Sequence, residues 1–205
     1  MCLSRRSGRG WTGTGLPLGN TGRVSAPPET RLIWLLRHAK TRHDPPRGGT
    51  DHDRRLSPRG RRDAEALGRR LAAPDGLDGL GPGDRPGAVL SSNARRTLET
   101  VELVLAPLAD PPPVTSSKRL YGALPADVLH ELQALDGTLG SVMVVGHNPT
   151  WAELAVTLAP PDDPLRERVE KGFPTCALAV YRFGGAWSDV APGAATMVGV
   201  YTPPF

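Results

Sequence analysis

Lysine is nearly missing from this chain of 205 residues, occurring only at positions 40, 118 and 171 among 25 basic residues. An arginine bias of that size, beside heavy alanine, glycine and proline usage, reads as GC-rich codon choice, so arginine abundance alone marks no binding patch. The formal net charge is +4 and the pI is near 9.5. Arg5, Arg6, Arg9 and Arg23 against Glu29 give the first thirty residues +3, leaving +1 for residues 31–205. The body is close to neutral, and no nucleic-acid partner is expected. Cysteine is equally scarce. Cys2 and Cys176 cannot form a disulfide framework or a structural zinc site, and read as free thiols in a reducing compartment, with Cys176 buried in a strand. Long apolar runs are absent: stretches such as Leu32–Leu36 and Ala177–Tyr181 fall far short of the roughly 20 residues that span a bilayer. The first thirty residues lack the apolar core of a signal peptide, so a cytoplasmic protein without a membrane partner is expected. No heptads or internal repeats occur.

What is present is a loop-rich globular composition, with 24 glycines, 22 prolines and 39% hydrophobic residues. Residues 1–30 read as a flexible basic tail, or as the product of a start codon set too far upstream. From residue 31 to 205 strand-like and helix-like segments alternate, which predicts one α/β domain, a three-layer α/β/α sandwich around a mainly parallel sheet. Buried strands are expected at Leu32–Leu36, Ala88–Leu90 and Ser141–Val145, a weak one near Val114, and later ones at Cys176–Phe183 and Thr196–Tyr201. Ser57-Pro58 gives an N-cap with proline in the first turn, and Ala64, Leu67, Gly68 and Leu71 mark the buried stripe of that helix. Further helices carry Ala94, Leu98, Val101 and Leu105; residues 126–135; and Trp151, Leu154, Ala155 and Leu158. Residues 39–56, 74–87 and 160–175 read as loops.

Three polar clusters follow three of these strands: Arg37-His38-Ala39-Lys40, Ser91-Ser92-Asn93-Ala94-Arg95-Arg96, and Gly146-His147-Asn148-Pro149. The C-terminal edge of an open α/β sheet is where ligands bind. Two histidines and several arginines converging there point to an anionic substrate, and phosphate suits the arginine fork.

Those residues resemble the histidine phosphatase superfamily, also called phosphoglycerate-mutase-like. Arg37-His38-Ala39 stands for its Arg-His-Gly/Ala signature, Ser91 to Thr100 for its Ser-Ser-Pro-x-x-Arg-Ala-x-x-Thr segment, and Val145-Gly146-His147 for its Val-Gly-His. The stretch Asp51-His52-Asp53-Arg54-Arg55-Leu56 is similar to the Asp-x-x-Arg-Pro-Leu of the small bacterial phosphohistidine phosphatase branch. The resemblance implies a cofactor-free, metal-free phosphatase in which His38 is the nucleophile, its other ring nitrogen held by an acceptor such as a backbone carbonyl. Arg37, Arg96 and His147 would surround the phosphoryl oxygens, with a protonated His147 favoured by the phosphate charge. Arg96 fits the family register better than Arg95, which reads as a solvated neighbour.

The departures are informative. Some branches protonate the leaving group with an acid directly after the late histidine, where this chain has Asn148. Others use a glutamate a couple of dozen residues after the second arginine; here only Asp127 and Glu131 lie nearby, on the next helix. A missing acid favours an imidazole leaving group, hence a phosphohistidine protein as substrate. A small phosphorylated metabolite or nucleotide is the next reading, since similar domains accompany some Nudix hydrolases, and a non-catalytic phosphate-binding regulatory module the third. Lys40 and Arg42 either add charge at the mouth of the site or are ordinary loop charges. Ser92 reaches the phosphate or caps the helix. His43, His52 and His130 are expected on the surface, Asp53 and Arg54 to organise the loop after the first strand, and Trp34 and Trp151 in the core.

Overall fold

The computed structural model describes residues 28–205 apart from Pro82, so residues 1–27 of the expected 1–30 tail, and Cys2 with them, lie outside the described residues, while Thr30 already opens the first strand. The first strand, β1 (Thr30–Arg37), is buried on both faces through Leu36, as its unbroken apolar run requires of a central strand. It is followed by α1 (Pro58–Ala72), β2 (Ala88–Ser92), α2 (Arg95–Leu105), β3 (Val114–Ser117), α3 (Pro125–Gln133), β4 (Ser141–Gly146), α4 (Thr150–Thr157), α5 (Arg166–Glu170), β5 (Leu178–Gly184) and β6 (Ala195–Tyr201). The six strands form one sheet in the order β3-β2-β4-β1-β5-β6. Pairings β2–β3, β2–β4 and β1–β4 are parallel, while β5 runs antiparallel to both β1 and β6.

The alternation of side chains along β1 divides the core. Ile33 and Leu35 join Val142, Val144, Leu132, Trp151 and Leu154 on one side. Leu32, Trp34 and Leu36 join Leu67, Leu71, Val101 and Val104 on the other. Helices α1 and α2 therefore cover one face and α3 to α5 the other, which is the α/β/α sandwich expected. Ser57 caps α1 by accepting from the Gly60 amide at 3.1 Å, with Pro58 in the first turn. Close approach of α1 and α2 depends on Gly68, where a Cβ would lie 2.6 Å from the Val104 carbonyl oxygen.

Several local expectations need correction. Cys176 is buried but precedes β5, in a turn with φ of 64°; its amide donates to the His38 carbonyl at 3.1 Å, and a ladder strand could not make that turn. Helix α5 interrupts the expected loop at 160–175. Leu98 is only half-buried, while Arg96, Thr97, Glu99 and Thr100 are buried instead. A hydrophobic stripe finds the face of a helix that meets the core, but the first turns of α2 pack against loops rich in polar partners. Glu99, for example, accepts from the Leu56 amide and from Arg95 Nε, both at 2.9 Å.

Candidate active site

The three strands carrying the polar clusters are neighbours, in the order β2-β4-β1, and all parallel. Their C-terminal ends therefore lie side by side, and residues more than fifty positions apart in sequence meet above them. His38 follows β1, and its amide donates to the Gly146 carbonyl at 3.0 Å, tying the ends of β1 and β4 together. The rings of His38 and His147 are tilted against one another with centroids 5.2 Å apart. His38 Nδ1 lies 2.8 Å from the Ala39 carbonyl oxygen. A carbonyl only accepts, so Nδ1 carries the proton and Nε2 keeps its lone pair. Burial, helped by the charges of Arg96, Arg37 and Arg54 and opposed by the Ala39 hydrogen bond, brings the pKa of His38 down to about 4. A neutral imidazole with one free nitrogen is what an attacking histidine needs.

Arg96 bridges the two sides of the site. Its Nε donates to His147 Nδ1 at 3.2 Å, its Nη1 to the Asp51 carbonyl at 2.8 Å, and its Nη2 to the Asp51 carboxylate at 3.1 Å. Since Nδ1 of His147 accepts, the ring proton sits on Nε2, which faces Ser92 Oγ at 2.9 Å. Burial first, and then the positive charge of Arg96, push His147 down to about 3. The protein itself thus favours the neutral His147 ring, with burial the larger cause and the cation touching it the next. Ser92 is fully buried with its hydroxyl on His147, and its contact to the Ala94 amide, at 3.4 Å, is long for a cap.

Arg37 Nη1 donates to the Phe173 carbonyl at 2.8 Å, and Asn148 Nδ2 donates to the same oxygen at 3.0 Å. Arg37 Nε and Asn148 Oδ1 are buried without partners. Lys40 and Arg42 are exposed and touch none of the side chains that converge on His38. Arg95 is exposed and pairs with Glu99, as a neighbour of the site rather than a member.

Sequence reasoning missed two members. Asp51 accepts from Arg54 Nη1 at 3.0 Å, from Arg96 Nη2 and from the Tyr121 hydroxyl at 3.0 Å. The Arg54 hydrogen bond leads in holding its carboxyl down at about 2, with Arg96 and Tyr121 assisting. Tyr121 stands edge-on to both His147, centroids 5.6 Å apart, and His52, 5.0 Å apart. His52 is accordingly half-buried rather than exposed, its Nε2 3.0 Å from Asn93 Oδ1. The run Asp51-x-x-Arg54 is the signal for the first of these; nothing in the sequence marks Tyr121. Asp53 and Arg54 do hold the loop: Asp53 Oδ2 accepts from Thr50 N and Oγ1 at 2.9 Å, and Arg54 reaches Thr41 and the Arg42 carbonyl. Asp127 caps α3 through the Leu124 amide at 2.8 Å and Glu131 pairs with Arg119 at 3.4 Å, so neither serves the site. Among the described residues no group of three or more metal-ligating side chains converges, and no helix is long and apolar enough to cross a membrane.

Two neutral histidines, His38 buried and His147 half-buried, make the fold acid-sensitive. Below about 6.5 the unfolded chain binds protons that the folded rings of His38 and His147 refuse until about 4 and 3. Stability is therefore complete above about pH 6.5 and falls as the pH drops towards 4, by on the order of a few kcal/mol for the pair. Melting temperatures between pH 7 and 4.5 are expected to fall less steeply in His38→Gln than in the wild type. Equal slopes would show that His38 is not held neutral.

The family model described as the histidine phosphatase superfamily (branch 1) matches residues 33–121. The chain is 40% identical over 171 residues to the uncharacterized protein Rv1276c of Mycobacterium tuberculosis, a match covering 82% of this chain and 99% of that one. Among solved structures, a candidate phosphohistidine phosphatase, SixA, of Nakamurella multipartitia superposes with a TM-score of 0.70 at 28% identity, over 88% of this chain and 100% of that one. Another candidate SixA, from Agrobacterium tumefaciens, gives 0.67 at 28% identity, over 84% and 98% of the two chains.

Proposed function

This chain belongs to the histidine phosphatase superfamily, and on that premise we propose that it hydrolyses phosphohistidine on a protein, through a covalent phosphohistidine at His38. The observation that carries the reading is the His38 hydrogen bond to Ala39 O, 2.8 Å long, which fixes the proton on Nδ1 and leaves Nε2 free in a ring whose centroid lies 5.2 Å from that of His147. In the first step the Nε2 lone pair attacks phosphorus. The bond from phosphorus to the leaving nitrogen breaks, and that nitrogen takes up a proton from water. In the second step water attacks the phosphohistidine, releasing inorganic phosphate and restoring His38. Arg37 and Arg96 hold the phosphoryl oxygens in line and balance the charge spread over them, and the Nε2–H of His147 adds a neutral donor. Ser92 acts through His147, its hydroxyl oxygen accepting a hydrogen bond from that N–H.

The leaving group follows from the carboxylates. Asn148 stands where an acid would be, and Asp51, the carboxylate at the cluster, is ionised down to about pH 2. A site without a proton donor suits an imidazole leaving group better than an alkoxide. The test compares turnover of a phosphohistidine protein with that of a generic aryl phosphate, each quenched in base to preserve a labile phosphoenzyme. The expected result is at least tenfold faster turnover of the phosphohistidine protein, with a label stable in base and lost in acid. Faster turnover of small phosphomonoesters would point to a metabolite or nucleotide phosphatase. Binding of phosphate with neither turnover nor label would point to a regulatory module.

A further inference from the structure

The loop after His38 and the first turn of α1 together are unlike the rest of the domain in charge. Residues 40–62 hold eight lysines and arginines against three aspartates, a net +5, so the remainder of residues 31–205 carries −4. Within this stretch a cleft of about 330 Å³ opens, lined by Arg42, His43, Asp44, Pro45, Pro46 and Arg55. Its two arginines come from adjacent backbone: Thr41 bridges Leu56 in antiparallel register, and the Arg42 amide donates to the Arg55 carbonyl at 2.9 Å. The far wall is stiffened by Pro45-Pro46 and by a turn in which the Gly49 amide donates to the Pro46 carbonyl at 2.8 Å. Asp44 is hydrogen-bonded to His43 Nδ1 at 2.9 Å. Among the described residues neither Arg42 nor Arg55 forms an ion pair, whereas Arg54 is paired with Asp51 and Arg95 with Glu99.

The cleft is wired to the active site without being part of it. Arg54 donates through Nε and Nη2 to the Arg42 carbonyl at 3.2 and 2.8 Å, and through Nη1 to Asp51, which holds Arg96. Arg42 follows His38 by four residues, so their Cα atoms are no more than about 14 Å apart. An extended peptide covers about 3.3 Å per residue, so about four residues span any separation up to that.

We propose that this cleft is a second anion site, which receives a glutamate or aspartate side chain three or four residues from the phosphohistidine of a protein substrate. The proposal rests on the phosphohistidine reading of the active site. Two unpaired guanidinium groups on a pre-shaped wall match a carboxylate fork to fork. The cleft thereby selects acidic surroundings of the modified histidine.

The test uses phosphohistidine peptides of one length whose positions three and four residues to either side of the phosphohistidine carry glutamate, alanine or lysine, with an aryl phosphate as reference. Partly exposed arginine–carboxylate pairs add about 0.2–1 kcal/mol each, so the wild type should prefer the glutamate over the alanine peptide in kcat/KM by about two- to thirtyfold, less so at high salt. The double variant Arg42→Glu/Arg55→Glu should reverse the order in favour of the lysine peptide. If that variant does not fold, Arg42→Gln/Arg55→Gln should bring the glutamate-to-alanine ratio close to one. Equal turnover of the glutamate and alanine peptides by the wild type, or an acidic preference that survives either double variant, overturns this inference alone. Turnover of the aryl phosphate with none of any peptide overturns the phosphohistidine reading, and this site with it.

Discussion

Replacing His38 by alanine is expected to lower phosphatase turnover by about 10⁴-fold or more and to abolish the base-stable phosphoenzyme, in a protein that still folds. Removing a nucleophile forces the reaction onto direct attack by water, and losses of that order are usual when a group that forms the covalent intermediate is deleted. The fold should survive because His38 contributes its backbone to the architecture more than its side chain. Its amide bonds the Gly146 carbonyl and its carbonyl bonds the Cys176 amide, and alanine keeps both. The side chain makes one hydrogen bond, to the Ala39 carbonyl beside it. Losing a buried ring that resists protonation removes part of the penalty at low pH, so the variant should be less acid-sensitive than the wild type. The decisive measurement is turnover together with base-quenched labelling on samples with matched melting curves. A variant rate within tenfold of wild type would transfer the nucleophile's role to another group, and a label persisting in the variant would name where to look.

The residues of that first step are legible in the amino-acid sequence because their positions follow from topology. An apolar run buried on both faces and closed by Arg37-His38, a second strand closed by Ser91-Ser92, and a third closed by Gly146-His147 bring their polar side chains to one sheet edge once the strands are parallel. Strand and helix periods supply that much, and the resemblance to the histidine phosphatase superfamily supplies the proposed roles. What escapes lies in contacts that no period encodes. Asp51 reaches Arg96 from forty-five residues away and Tyr121 reaches Asp51 from seventy, and each contact is fixed by how two loops settle on the sheet. The burial of Thr97, Glu99 and Thr100 defeats a hydrophobic-stripe reading for the same reason: hydrogen-bonding partners, not apolar neighbours, make that face of α2 favourable to bury. The antiparallel β5 and the left-handed turn at Cys176 also depend on tertiary contacts, here the hydrogen bond that the Cys176 amide donates to the His38 carbonyl. At His147 the charge of an incoming phosphate argues for a charged ring, while burial and the guanidinium touching it argue for a neutral one, and only the fold brings these together.

That guanidinium yields the second large effect. Arg96→Lys is expected to be nearly as damaging as Arg96→Ala, each lowering turnover by roughly 10²–10³-fold, the range for losing a donor that stabilises charge in the transition state. A lysine keeps the charge but has one nitrogen, whereas Arg96 uses three at once, on His147 Nδ1, the Asp51 carbonyl and the Asp51 carboxylate. A single ammonium on a flexible stem cannot hold the His147 tautomer and the Asp51 turn together. The two variants should nonetheless part company at His147. Burial is the larger cause of its low pKa and the positive charge of Arg96 the next. His147 in Arg96→Ala should therefore titrate higher than the wild-type value of about 3, while in Arg96→Lys a nearby ammonium still opposes protonation. Ring-proton NMR titrations of wild type and both variants, read beside kcat, separate charge from orientation. Full activity in Arg96→Lys would mean that charge alone suffices and that the three-point clamp is structural. An unmoved His147 in Arg96→Ala would mean that burial alone keeps the ring neutral, and the arginine's part would then reduce to the phosphoryl oxygens.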